Sequence, residues 1–267
     1  MNTTFKRYGI VPISCLSVYK EADHTSEMLN QLLFGECFEI LNGSNDWVEI
    51  QSLFDKSTGW VQSHSFLQSD EPGPLLSDKS TYITSQTVIL SRPGYCSYTF
   101  TILPGSSLPC PPRLGHSFEL AGVKFRFETP VPEPPALEGA SSIEALALVF
   151  IHSPYHWGGR SIFGIDSSGL IQMVAKLQRH SLPRYLSEQV QLGQPLSFVQ
   201  DAKAGDLAFF DNEEGEIIHA GIISGPGKII HAAEYVREDS IDHAGIFDKN
   251  LNKYTYTLRL INRLDLK

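Results

Sequence analysis

Cysteine is scarce and poorly spaced for ligation. The four present, Cys15, Cys37, Cys96 and Cys110, form no Cys-x-x-Cys pair, so neither a zinc site nor a dithiol redox motif is implied, and buried free thiols are expected. No cysteine follows Cys110. Long apolar runs are missing too: nothing is long enough to span a bilayer, and residues 1–14, with Lys6 and Arg7, lack the apolar core of a signal peptide. These absences point to a cytoplasmic protein without a membrane span. Positive charge is also short, with 21 Lys and Arg against 30 Asp and Glu, a formal charge of -9 and no basic cluster. That balance argues against nucleic acid or an anionic membrane as the main partner. No metal or cofactor is implied.

What is present describes a globular chain. Its 267 residues are 42% hydrophobic and 19% charged, enough for about two domains, or three if some are small. From Tyr8 to Phe66, short apolar segments alternate with turn residues: Leu16-Ser17-Val18-Tyr19, Phe38-Glu39-Ile40-Leu41, Trp47-Val48-Glu49-Ile50 and Gly59-Trp60-Val61. This spacing predicts a small all-β barrel, with Asn42-Gly43 and Asn45-Asp46 as turns. A break at Ser69–Pro74 leads to a second β-like stretch, Tyr82 to Phe127, ending in the alternating Val123-Lys124-Phe125-Arg126-Phe127. A proline-rich linker, Thr129 to Pro135, follows. Beyond it the pattern changes. Ser141 to Ile151 reads as a helix capped by Ser142. Later come three strand-like runs, Gly205–Phe210, Ile217–Ile223 and Lys228–Ala233, which predict an antiparallel meander backing a helix.

The stretch Tyr155 to Gly169, Tyr-His-Trp-Gly-Gly-Arg-Ser-Ile-Phe-Gly-Ile-Asp-Ser-Ser-Gly, carries the chemistry. Two glycines after an aromatic pair predict a tight turn. Asp166-Ser167-Ser168 are preferred helix-capping residues, and Leu170, Ile171, Val174 and Leu177 give the apolar face of a helix, with Gln172, Lys176 and Gln178 left for the other side. Residues 167 and 168 therefore stand where backbone N–H groups converge and the helix dipole favours negative charge.

This stretch resembles the nucleophile segment of the NlpC/P60 cysteine peptidases, Tyr-x-Trp-Gly-Gly followed by Gly-x-Asp-Cys-Ser-Gly. Tyr155, Trp157, Gly158, Gly159, Gly164, Asp166, Ser168 and Gly169 match, and Ser167 stands where the family has its cysteine. Gly35-Glu36, Trp47-Val48 and Gly59-Trp60-Val61 are similarly placed to the strands of bacterial SH3-like domains. The resemblance implies an α+β fold: an SH3-like barrel over 1–70, a divergent second one over 75–130, a linker over 131–138, and a papain-like domain over 139–267. It implies roles as well. His219 would be the general base, His231 the residue that orients it, and Tyr155 an oxyanion-hole donor, with Asp166, Ser168, Trp157, Arg184 and Tyr185 forming the surrounding substrate site. The family's reaction would be hydrolysis of murein-derived L-Ala-γ-D-Glu-diamino acid peptides, as in murein recycling.

Three departures mark the resemblance. Serine cannot wait as a charged attacker beside histidine as a thiolate does. Tyr185, in Pro183-Arg184-Tyr185, replaces the aspartate that in such family members holds the peptide's free amine. Ser57, three residues before Trp60, replaces a tyrosine that the first SH3 domain commonly contributes to the same pocket. The resulting expectation is a silenced or attenuated peptidase that keeps its cleft for a muropeptide or a related small peptide. Two alternatives stay open: a hydrolase using Ser167 with His219, and a scaffold that binds protein partners through its SH3-like domains.

Overall fold

The computed structural model describes residues 7–44, 46–72, 82–94, 98–129 and 140–264. The expected linker, 131–138, and the Asn45 half of one expected turn lie outside these. The chain divides into two compact units, Met1–Pro134 and Pro135–Lys267. Strands outnumber helices throughout, in keeping with an α+β class. Among the described residues, no helix is long and apolar enough to cross a membrane.

The first unit begins with seven strands: β1 (Arg7–Ile10), β2 (Cys15–Tyr19), β3 (Met28–Leu33), β4 (Cys37–Gly43), β5 (Trp47–Ser52), β6 (Thr58–Gln62) and β7 (Leu67–Ser69). They form one antiparallel sheet in the order β3-β2-β6-β5-β4-β1-β7. Strict alternation along β5 turns Val48 and Ile50 inward to meet Val11, Leu16, Val18, Leu32, Phe38 and Val61. Asn42-Gly43, expected as a turn, instead ends β4 in register with Glu49 and Val48, because an irregularity after Ile40 carries the pairing further. Ser57 is buried, its hydroxyl donating to Asp55 Oδ1 at 2.7 Å and accepting from Asn30 Nδ2 at 2.8 Å.

The second stretch supplies β8 (Tyr82–Ile83), β9 (Val88–Ser91), β10 (Thr99–Ile102), β11 (Ser107–Leu108), β12 (Ser117–Leu120) and β13 (Val123–Phe127), arranged as a sheet β10-β9-β13-β12 and a separate β11-β8 ladder. Lys124 and Arg126 of β13 face solvent while Phe125 and Phe127 are buried. Those rings pack with Val88, Leu90, Ile102, Phe118 and Leu120, and also with Ile10, Phe34 and Cys37 from the first stretch. Both stretches therefore share one apolar core. At about 1.5–3 kcal/mol for each large side chain removed from water, that shared core supports folding of the two as a single unit.

The second unit opens with α1 (Ala140–Ala147) and a 3-10 turn (Leu148–Phe150), where the sequence suggests one helix over 141–151. The helix starts at Ala140, so Ser142 lies in its first turn and not at the cap. It stops short of Ser153-Pro154, consistent with the proline disfavouring helical geometry in the residue before it. A short hairpin, β14 (Arg160–Ser161) with β15 (Gly164–Ile165), leads into α2 (Ser167–Leu177), then α3 (Leu186–Gln189) and β16 (Gln194–Pro195). Six strands follow: β17 (Leu207–Asp211), β18 (Ile217–Gly225), β19 (Lys228–Ala232), β20 (Val236–Ile241), β21 (Gly245–Asp248) and β22 (Lys253–Arg263). The first three coincide with the expected meander. The rest change its shape, because β22 pairs with both β17 and β21 and closes the six strands into a barrel. Ala208, Phe210, Ile223, Ile229, Ile241, Ile246 and Ile261 fill its interior.

Helix α2 packs across β18 and β19. Residues Ser167 to Lys176 are all buried, including Gln172 and Lys176, which helical periodicity assigns to an outer face. A helix covered on more than one side leaves no wet stripe. Gln172 accordingly donates its amide Nε2 to the Leu182 carbonyl at 3.0 Å.

Candidate active site at the head of the central helix

Asp166 caps α2 from an extended conformation (φ -97°, ψ 175°), and its carboxylate is fully engaged. It accepts from Gly169 N at 2.7 Å, Gly158 N at 2.9 Å, Ser168 Oγ at 3.0 Å, and both guanidinium ends of Arg184 at 3.0 and 2.6 Å. Arg184 also donates to Ser168 Oγ at 2.6 Å. Gln189 Nε2 ties the Ser168 carbonyl, at 3.1 Å, to that of Pro183, at 2.8 Å. The sequence places Asp166, Ser168 and Arg184 against substrate. In the structure all three are buried, and these bonds join their polar groups to one another. Their visible work is to fix where the helix starts. Two glycines of the motif permit that start: a Cβ on Gly159 would stand 2.4 Å from the Gly164 carbonyl oxygen, and one on Gly169 2.3 Å from that of Gly159.

Backbone pairing then ties the helix head to one end of the barrel. Tyr155 bridges Ile165, the residue before the cap, and Pro154 bridges Tyr235. Tyr155 N donates to the Glu234 carbonyl at 2.9 Å, and Val236 N to that of Ser153 at 2.8 Å. Residues 153–155 thus lie between the segment that enters α2 and the loop that leaves β19.

That end of the barrel holds the histidines. His219 on β18 and His231 on β19 are both buried, with His219 Nε2 2.9 Å from His231 Nδ1. The ring of Tyr256 stacks on His219 at 3.9 Å and 14°. Burial, then the neighbouring His231, holds His219 well below the ordinary histidine pKa of 6.5. His231 Nε2 meets Asp239 Oδ2 at 3.0 Å, and Asp239 pairs with Arg237 Nε at 2.7 Å. Burial raises the Asp239 pKa, but the hydrogen bond of His231 and the charge of Arg237 outweigh it, so the carboxylate is favoured. Sequence reading misses Asp239, Arg237 and Tyr256. Their strands carry none of the motif: the β19–β20 pairing sets Arg237 opposite His231, and closure of the barrel by β22 brings Tyr256 onto His219.

Tyr155 is 40% exposed, and burial followed by the charge of Asp166 raises its pKa, so the phenol keeps its proton at neutral pH. Tyr256 also acts on it, which places Tyr155 under the influence of both the helix head and the partner of His219. Trp157 is 58% exposed and Tyr185 37%. The Ser167 side chain is buried and makes no hydrogen bond to either histidine among the described residues. No group of three or more His, Cys, Asp or Glu able to hold a metal ion occurs among them either.

Comparison with known proteins places this arrangement. The NlpC/P60 family matches residues 152–255, and the bacterial dipeptidyl-peptidase SH3 domain matches residues 18–66. The gamma-D-glutamyl-L-lysine dipeptidyl-peptidase of Bacillus subtilis (strain 168) is 29% identical over 216 residues, covering 76% of this chain and 71% of that protein. Dipeptidyl-peptidase 6 of Lysinibacillus sphaericus is 24% identical over 84% of this chain and 87% of its own. In three dimensions, the crystal structure of an NlpC/P60 family protein from Bacillus cereus ATCC 10987 covers 96% of this chain and 99% of its own, with a TM-score of 0.74 at 18% identity, a likeness of fold. The chain therefore carries an NlpC/P60 domain preceded in sequence by a bacterial SH3 domain, and it is a homologue of the gamma-D-glutamyl-L-lysine dipeptidyl-peptidases.

Proposed function

We propose that the C-terminal domain is a peptidase scaffold of feeble or absent turnover that binds a peptidoglycan-derived peptide. The observation that carries this reading is a hydrogen-bonded His219–His231–Asp239 chain at the barrel end to which residues 153–155 tie a helix head whose first residue is serine, in a domain with no cysteine. In this reading the tyrosine hydroxyl of Tyr155 and the backbone N–H of residue 167 receive an oxyanion, His219 stands as base, and Trp157 and Tyr185 border the peptide. Asp166, Ser168 and Arg184 shape the floor of the same site.

A thiol at residue 167 would give its proton to His219 and attack a γ-glutamyl carbonyl as thiolate. The imidazolium would then protonate the departing amine. Serine must lose its proton during attack, and its hydroxyl is far less acidic than a thiol. His219, depressed by burial, is a weak base for that task. The absence of a Ser167–His219 hydrogen bond fits the same conclusion.

The test uses the tripeptide L-Ala-γ-D-Glu-L-Lys. Titration should show saturable binding to the unmodified protein, with little or no release of L-Ala-γ-D-Glu, while Ser167→Cys should gain measurable release. Robust release by the unmodified protein, abolished in Ser167→Ala, would show a working serine hydrolase. Neither binding nor a gain in Ser167→Cys would remove the peptide cleft from the account.

A further inference from the structure

The polar chain does not stop at the two imidazoles. Asp239 lies on β20 two residues beyond Arg237, and in the β19–β20 register Arg237 stands opposite His231. His231, Arg237 and Asp239 therefore share the barrel's inner face. Arg237 in turn pairs with Asp248 of β21 through Nη2 and with Glu234 through Nη1 at 3.5 Å. Asp248 is itself anchored, its other carboxylate oxygen accepting from Asn250 N at 2.8 Å and Leu251 N at 3.0 Å. Burial disfavours the Arg237 charge, but the hydrogen bond to Asp248 and the charges of Asp239, Asp248 and Glu234 more than restore it.

This order of donors and acceptors determines which nitrogens carry protons. A carboxylate can only accept, so the proton between Asp239 and His231 sits on His231 Nε2. In a neutral ring the other nitrogen, Nδ1, is then bare and must accept, and its partner 2.9 Å away is His219 Nε2. His219, neutral and buried, spends its one N–H on that contact and is left with an unprotonated Nδ1.

We propose that Asp239, held in place by Arg237, is a positioning residue that selects this tautomer in both rings and so keeps His219 Nδ1 open to receive a proton. The inference rests on the reading of His219 as the base, and it adds two residues that act through His231 and touch no substrate. During a reaction the proton would pass from the residue 167 nucleophile to His219 Nδ1 and on to the leaving nitrogen, while the two N–H groups of the relay stay where they are. Without the carboxylate, His231 is free to donate from either nitrogen, and a pair in which it donates from Nδ1 has His219 protonated on the wrong side.

The tautomers are read directly, without turnover, from long-range 1H–15N correlation spectra of the 15N-labelled unmodified protein at pH 7.5. The expected pattern is Nε2–H on both His219 and His231. In Asp239→Asn both rings should show mixed tautomers, and Asp239→Glu should restore the single pattern. A second arm measures peptide release in the Ser167→Cys background. There Asp239→Asn should lower kcat by at least about tenfold with KM little changed, less than the ~10⁴-fold loss known for a carboxylate bonded directly to a serine-protease histidine. Circular dichroism and unfolding midpoints confirm that each variant is folded, and Arg237→Lys, which keeps the charge but loses the Nε contact, provides a second route if Asp239→Asn does not fold. Nδ1–H on His219 in the unmodified protein, or identical tautomers in folded Asp239→Asn, overturns the proposal. If Ser167→Cys is inert while the tautomers are as described, the peptidase reading fails and the relay stands. An active Ser167→Cys with the opposite tautomers has the reverse meaning.

Discussion

Arg184→Met provides the sharpest test of how the head of α2 is built. Arg184 is 1% exposed, and Asp166 opposite it is 5% exposed, joined by bonds of 3.0 and 2.6 Å. Removing the cation leaves a buried carboxylate with three neutral donors, Gly158 N, Gly169 N and Ser168 Oγ. Breaking a buried pair in this way costs about 3–5 kcal/mol, whereas replacing both partners by apolar or neutral groups of similar volume is often close to neutral. Asp166→Asn should be nearly as harmful, since its amide turns an N–H donor toward Arg184 and takes the carboxylate from a buried cation. The double variant Asp166→Asn/Arg184→Met should therefore be less destabilised than the sum of the singles by about 2–3 kcal/mol. Amide exchange of peptides covering 167–177 reads this helix within the C-terminal unit alone. Its protection should fall by about 10²- to 10⁴-fold in Arg184→Met, since each 1.36 kcal/mol is tenfold. A loss under ~1 kcal/mol, the level of an exposed ion pair, or strict additivity in the cycle, would refute the view that this pair fixes the start of the helix.

Other outcomes follow from the same geometry. His219 has a folded-state pKa well below 6.5, so the unfolded chain binds the extra proton. Stability from this group is present above pH 6.5 and falls as the pH drops through that value toward the folded pKa, by up to ~1.4 kcal/mol per unit. Urea midpoints of the C-terminal unit between pH 7.5 and 5 should show this slope, reduced in His219→Gln, and a flat profile would count against a buried neutral ring. Gly221→Ala places a methyl 2.9 Å from His231 Cβ and 2.7 Å from Ile229 Cδ1, which should cost about 1–3 kcal/mol and disturb the imidazole pair, visible in the same 15N spectra. Asn30→Ala, which strips Asp55 and Ser57 of a buried donor, should destabilise the N-terminal unit by about 1–3 kcal/mol in calorimetry and leave the second transition in place.

Local signals were readable in the sequence where they are intrinsically local. The capping run Asp166–Ser168, within which α2 starts, and the first three barrel strands each depend on residues within a few positions of one another, and all lie where the pattern puts them. Long-range closure was not readable. Nothing in Lys253–Arg263 announces that it will pair on both sides, so the sequence suggested an open meander where there is a barrel. Asp239 and Arg237 were hidden because their strand carries no motif, and only the β19–β20 register sets Arg237 opposite His231. Gln172 and Lys176 misled for the opposite reason: periodicity assumes one covered face, and α2 is buried nearly all round. In the N-terminal unit, Phe34 and Cys37 gave no hint that they would pack with rings some ninety positions later.

The double pairing of β22 bears on how this domain comes into being on the ribosome. Both imidazoles and their acidic support are translated before Lys253, yet the cylinder that encloses them has a gap until Lys253–Arg263 arrives. Until then the nascent chain exposes two raw strand edges, at β17 and β21, each a template for pairing with a neighbour. Enclosure of the histidine cluster is thus a late event, and a chaperone that shields those edges has a defined interval in which to act.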